Sequence, residues 1–314
     1  GATKRTHYRL TELADLDDSL GRLTINDSGH VLQGCRDGRA RFYADGKTTV
    51  LQVPGKQLHV ADLNNKGEVA SHFGAHRQGR PFIWKQGRFF DLGIAGGRTA
   101  AINDHSVVAG TLKRPDPDGA VRGGVSKAFT WSDGKVRLLP PLRGMFGGNS
   151  SDAVEINNRD QVVGYSFQTE PGGSAGSRAI VVWDGGAPTT LMGTMRGNVV
   201  RMLNDRGQVI GDQDGRSLFW QEWKFSHTRL PPLEEGPMVF PLSINDAGDI
   251  VGISGADKPV IWQADRVWDL NTLIIAGKEW HMHQARAINN RGQIVGYADR
   301  RNNRNRPVLL TPVS

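Results

Sequence analysis

Few residues in this chain are of a type and spacing that could do covalent or metal chemistry. His281 and His283 sit two apart and would share one face of a strand, a start toward a zinc site that needs a third ligand. The sequence offers no identifiable third ligand. Gly172-Gly173-Ser174-Ala175-Gly176 matches the string of a hydrolase nucleophile elbow, which requires a sharp strand-to-helix turn and an acid and histidine downstream. Here the string reads as a glycine-serine loop. Asp116-Pro117-Asp118-Gly119 and Asp212-Gln213-Asp214-Gly215 begin like calcium loops but lack the later ligand positions and the closing glutamate. Turn chemistry accounts for both. The one cysteine, Cys35, excludes an intramolecular disulfide and any cysteine-built zinc or iron–sulfur site. No catalytic residue, metal ligand or cofactor is therefore assigned, and binding becomes the working expectation.

The elements that would position a binding surface come from a repeat. Glycine makes up 40 of the 314 residues, almost twice the usual ~7%, which points to many tight turns. One segment recurs seven times, with anchor asparagines at Asn26, Asn64, Asn103, Asn157, Asn204, Asn245 and Asn289, spaced by 38, 39, 54, 47, 41 and 44 residues. Each copy has an apolar segment ending in Ile-Asn or Leu-Asn, an Asn/Asp/Gly turn and a β-branched run. This is a hairpin, because the turn residues supply side-chain bonds and positive φ. A third strand follows and usually ends in an aromatic, as in Phe82-Ile83-Trp84 and Val260-Ile261-Trp262. A second turn then leads to a fourth strand such as Phe89-Phe90-Asp91-Leu92. Four short strands per unit without helical periodicity predict an all-β, seven-bladed β-propeller with four-stranded blades.

The ends of the chain fit closure. The seventh unit stops shortly after Leu310, before a fourth strand, whereas Tyr8–Leu13 matches that strand and precedes the first unit. The N-terminal strand is expected to complete the C-terminal blade and remove a free sheet edge. Residues 1–314 are read as a single propeller domain, with 1–7 as a disordered tail.

The Ile-Asn-x-x-Gly-x-Val-Val-Gly unit followed by Phe-x-Trp resembles the HAF repeat of bacterial proteins predicted to be extracellular. The resemblance spans essentially the whole chain, although Gln33 and Ser71 replace the final glycine and Ser106 and Asp160 replace the turn glycine. It implies export, to the periplasm or beyond, and a repeat scaffold. It brings no established catalytic residues.

Loop lengths point to a working face. The connection from second to third strand runs from nine residues (Gly211 to Trp220) to 21 (Gly110 to Trp131) and 19 (Gly164 to Trp183), and the one from fourth strand to the next asparagine also varies. In an up-and-down blade both lie at one end, so the elaboration is expected on one face. Lys113 to Lys127, Pro140 to Ala153 and Phe167 to Arg178 would form one raised sector. It carries Lys113, Arg114, Arg122, Lys127, Arg143 and Arg178 around Met145 and Phe146. A second sector is residues 277–283, with Trp280 as a candidate exposed aromatic platform beside His281 and His283, together with residues 300–304. Basic residues around an apolar centre suit a protein hot spot or an anionic polysaccharide.

Net charge is +7 and the pI about 9.7, yet the basic residues are scattered and no nucleic-acid module is recognisable, which argues against DNA or RNA. No apolar run is long enough for a membrane-spanning helix. The expectation is a non-enzymatic, extracytoplasmic scaffold binding a protein, in one version as an immunity or inhibitor protein, or an anionic surface polymer. The alternative is a carbohydrate-active enzyme with its carboxylates at the channel mouth.

Overall fold

A computed structural model describes residues 5–74, 79–171, 175–236 and 238–313. Their strands form seven sheets, of which five have four strands in sequence order, one has three and one has five. Helix is confined, among the described residues, to the 3-10 turns Gly144–Phe146 and Leu270–Leu273. The fold is a seven-bladed β-propeller, as the repeat predicts. By contact density the chain divides into two compact units, one of residues 1–52, 210–219 and 228–314, the other of residues 53–209 and 220–227.

The first unit holds the closure. Strand His7–Glu12 lies antiparallel to Asn303–Val313 through six pairs, from His7 opposite Val313 to Glu12 opposite Val308. Tyr8 and Leu10 alternate inward and are buried with Val308, Leu310, Leu270 and Leu273. The expected tail is corrected for its last residues. His7 is in the ladder, and Arg5 donates to Thr272 Oγ1 at 3.0 Å while lying 4.7 Å from the Trp268 ring; residues 1–4 lie outside the described ones. An unforeseen fifth strand, Ile274–Ala276, runs parallel to His7–Glu12. It is made from the long connection after Leu270.

The second unit contains blades 2, 3 and 4 complete. The next sheet, Asn198–Leu203, Val209–Gln213 and Arg216–Trp220, has no fourth ladder strand around Leu230, where the four-strand repeat would put one. What remains is one bridge between Phe219 and Thr228. Two causes are visible in the sequence around it: an insertion after Trp220, and Pro231-Pro232, which have no N–H to give a ladder. The insertion carries Trp223, whose indole Nε1 donates to Gly207 O at 2.8 Å, beside the asparagine turn. The expectation that elaboration falls on one face only is therefore corrected, because this excursion packs on the asparagine-turn side.

The anchor asparagines do more than turn the chain. Asn157 is typical: its Oδ1 accepts from Arg159 N and Gln161 N, both at 3.0 Å. Its Nδ2 donates to Gln161 Oε1 at 2.8 Å and to the main-chain oxygen of Asn204, the anchor of the next repeat, at 3.0 Å. Asn64 and Asn103 reach forward in the same way within the second unit. Asn245 and Asn289 do so within the first. Each amide thus caps its own turn and fastens it to the following blade.

The departures from the repeat have matching partners. Ser106 and Asp160 occupy the turn glycine's left-handed position, at φ 63° and 59°, which L-residues adopt at a cost. Ser106 Oγ donates to Glu68 Oε2 at 2.6 Å, and Asp160 Oδ1 accepts from Asn103 Nδ2 at 2.6 Å. Each replacement gains a bond to the preceding blade.

Candidate binding face

Strand extension, rather than loose loop, builds the first sector. In blade 3, Val108–Arg114 and Val125–Ser132 stay paired out to Arg114 opposite Val125. Asp116 closes the tip through Oδ2, which accepts from Val121 N at 2.9 Å. In blade 4, Val162–Thr169 and Ala175–Trp183 remain paired out to Thr169 opposite Ala175. Between these hairpins runs the connection 140–149, bent by the turn Gly144–Phe146.

Asn149 ties the three segments together. Its carbonyl accepts from Lys127 Nζ at 2.7 Å. Its side chain brackets Thr169, with Oδ1 accepting from Thr169 N at 2.8 Å and Nδ2 donating to Thr169 O at 3.1 Å. Ser150 Oγ adds a 2.6 Å bond to Thr169 Oγ1, and Leu142 N donates to Ser166 Oγ at 2.8 Å. The sector expected from loop length is one bonded assembly within the second unit. Asn149 was missed, since a lone asparagine in a Gly-Gly-Asn-Ser stretch carries no signal of what lies opposite it.

The sequence-predicted residues divide by exposure. Arg114, Arg122 and Arg143 are exposed, and Met145 stands out at 91% exposure. Lys113 is partly buried. Lys127 is corrected from an exposed cation to an internal tie: it is partly buried, and burial lowers its pKa against the upward pull of Asp116. Arg178 is laid over the Tyr165 ring at 4.2 Å. The Phe146 side chain lies outside the described residues, as do Gly172, Gly173 and Ser174 of the elbow-like string.

The second sector, in the first unit, departs further from expectation. Trp280 is not an exposed platform. It is 6% exposed, packs in the cluster with Tyr8, Leu270, Leu273 and Met282, and is covered by the Arg300 guanidinium at 4.7 Å. The apolar surface left by the closing strand and Leu270–Leu273 gives the indole more to bury against than solvent would. His281 is exposed. His283 Nε2 lies 3.4 Å from Asp299 Oδ1, and Arg304 Nη1 approaches the other oxygen of that carboxylate at 3.3 Å. Burial lowers the His283 pKa more than Asp299 raises it. Among the described residues, no three His, Cys, Asp or Glu side chains are grouped to hold a metal ion. Cys35 accepts from Arg41 Nη1 at 2.7 Å, yet burial raises its pKa, opposite to the direction that makes a thiol reactive.

The class defined by these sheets is the β-propeller with a built-up loop face. No family model matches the sequence, and a search of curated proteins gives no match. Solved structures do match. The structure described as YCF48 bound to D1 peptide aligns at TM-score 0.61 and 11% identity, covering 100% of this chain and 97% of that one. The β-propeller domain of the Trilobed protease from Pyrococcus furiosus aligns at 0.57 and 10% identity, covering 98% and 94%. A chain of a mitotic checkpoint complex aligns at 0.56 and 10% identity, covering 100% and 96%. At such identities the likeness concerns fold alone. No helix among the described residues is long and apolar enough to cross a membrane.

Proposed function

We propose that this chain is a non-enzymatic binding scaffold that uses the Asn149-tied surface of blades 3 and 4 to bind a protein partner outside the cytoplasm. The observation that carries the reading is the bonded union of three lengthened segments, which carry exposed Arg114, Arg122 and Arg143 and exposed Met145. A rigid surface loses less conformational entropy on binding than mobile loops do. An exposed methionine and three exposed arginines on one bonded surface fit the composition of interface hot spots. Propeller neighbours whose descriptions name a bound peptide or a multiprotein complex support the choice of a protein partner. The extracytoplasmic setting rests on the resemblance of the repeat to HAF proteins, and an immunity or inhibitor role is one specific form.

The test is capture from extracts with the intact protein beside two variants. In the first, Lys113 to Lys127 is shortened; in the second, Met145→Glu and Arg143→Glu are combined. Loss of one specific protein from both variants, with circular dichroism unchanged, supports the reading. Unchanged capture would reject this surface. Recovery of an acidic polysaccharide in place of a protein would replace the partner class.

A further inference from the structure

A cleft of about 360 Å³ opens in the second unit beside this surface. Its walls are residues 176–178, at the start of a blade 4 strand, and 195–198, on the connection into the next sheet. The lining holds two arginines, Arg178 and Arg196, and no acidic side chain. Among the described residues neither guanidinium has a carboxylate partner: Arg178 stacks on Tyr165, and Arg196 is exposed. A cleft charged in this way selects an anion.

Asn198 adds a second, independent feature. It is 2% exposed, and its Nδ2 donates to Arg178 O at 3.1 Å and to Gly193 O at 3.3 Å. Those two bonds fix which end of the amide is nitrogen. The other end, Oδ1, has no hydrogen-bond partner among the described residues. A buried acceptor left in this state calls for a donor. The ligand chemistry that answers both features is an anionic group with an N–H or O–H close beside it.

We propose that this cleft captures the C-terminal carboxylate of a peptide or protein, an inference that deepens the binding-scaffold reading and rests on it. The carboxylate lies between the Arg178 and Arg196 guanidiniums, whose forked donors match it. The backbone N–H of the same terminal residue, one carbon from the carboxylate, is donated to Asn198 Oδ1. Gly176 and Gly197 line the cleft without side chains, which leaves room for a ligand main chain. Asn198 Oδ1 is buried, and admitting the donor requires the turn at Gly197, at φ 74°, to shift, which displaces no side chain of that residue. Met195, 45% exposed and opposite Arg178 in the strand pairing, offers an apolar rim to the terminal side chain. A sugar acid fits less well. Its several hydroxyls would meet only Asn198 Oδ1 and Ser177 Oγ as side-chain acceptors, and no aromatic ring lines the cleft.

The test is a titration of the whole chain by NMR with four probes: N-acetyl-glycyl-glycine, its C-terminal amide, glucuronate and inorganic phosphate. The free-acid peptide is expected to bind saturably, with amide shifts centred on residues 176–178 and 195–198. The amide form and the Arg196→Ala variant should each bind at least about tenfold more weakly, as expected for a lost charge-assisted bond. Arg196 is exposed and makes no described bond, so its removal leaves the fold intact. Arg196→Lys, keeping charge without the fork, should fall between. Absence of saturable binding, equal binding of acid and amide, or glucuronate or phosphate matching the peptide would each overturn the proposal. A chain shortened between Lys113 and Lys127 should retain the probe. Loss of probe binding with partner capture intact indicts this cleft, whereas intact probe binding with capture indifferent to that loop indicts the wider reading.

Discussion

Asn289 Nδ2 donates at 2.9 Å to the main-chain oxygen of Asn26, 263 residues earlier in the chain. The first and last repeats are therefore joined by the same amide bond that links Asn64 to Asn103 and Asn103 to Asn157. Seen from one turn alone, the asparagine is a cap; between two turns it is a fastener.

Replacing Asn289 by Ala removes two caps to main-chain N–H groups, the bond to Gln293 and the bond to Asn26. With the residue 4% exposed, the stranded partners should cost about 2–4 kcal/mol in urea unfolding. Asn289→Asp keeps the caps and loses the donor, so it should destabilise too. A loss below about 0.5 kcal/mol would show that the inter-blade bond contributes little.

The glycine that ends the second strand answers to a bulge in the first. The pairing of Ser150–Ile156 with Val162–Thr169 skips Val154, and a first-strand carbonyl two residues before that irregularity crowds the glycine opposite. A Cβ at Gly164 would sit 2.0 Å from Asp152 O, and one at Gly252 would sit 2.1 Å from Phe240 O. Gly164→Ala should cost about 1–3 kcal/mol or more, the range for overpacking against an unyielding neighbour. Gly186→Ala, where a Cβ meets nothing within 4 Å, should stay within about 0.5 kcal/mol. Equal effects at the two sites, measured by thermal unfolding, would refute the steric account.

Removing residues 7–12 should expose the outer edge of Asn303–Val313 and lower both stability and solubility, because an unpaired edge recruits other chains. A synthetic peptide spanning His7–Glu12, added in excess, is expected to restore the melting temperature of the truncated protein. Tyr8→Ala, at a fully buried ring, should cost about 3–5 kcal/mol. Failure of the peptide to rescue would mean that the strand acts chiefly through its covalent attachment.

His283 sets a pH dependence whose sign follows from burial. Its pKa is lowered in the fold below the ordinary value of 6.5, so the unfolded chain takes up the proton first. Stability is then unaffected above that value and declines as pH falls through and below it. An NMR titration should place His283 below 6.5, and His283→Gln should flatten that part of the stability–pH curve. A titration at or above 6.5 would contradict the assignment of burial as the dominant influence.

The blade count, the closing strand and the crowded sector were legible because each rests on spacing. Seven Asn turns at constant distance from a second-strand end could hardly be anything but repeated hairpins, and Tyr8–Leu13 matched the missing strand. What spacing could not report was which groups face each other across blades. Lys127 reads as one more surface cation until Asn149 is seen to accept from it, and Trp280 reads as an exposed platform until the cluster beneath it is known. The lost fourth strand at Leu230 did leave a trace, since ten residues separate Trp220 from Leu230, against eight from Trp84 to Leu92 and from Trp262 to Leu270. Arg196 and Asn198 left none, because the connection holding them is of ordinary length.

The pairing of His7–Glu12 with Asn303–Val313 has a bearing on how the chain is made. Translation delivers His7–Glu12 before every other strand of this sheet, so the sheet cannot be finished until Asn303–Val313 has emerged. The early segment must wait, unpaired along both sides, until nearly every other blade has emerged. Ladders between such distant segments also fold slowly, since a large loop must close before any bond forms. A nascent chain of this design has reason to need a holding factor, and a late frameshift or stop would strip the sheet of its centre while leaving its first strand in place.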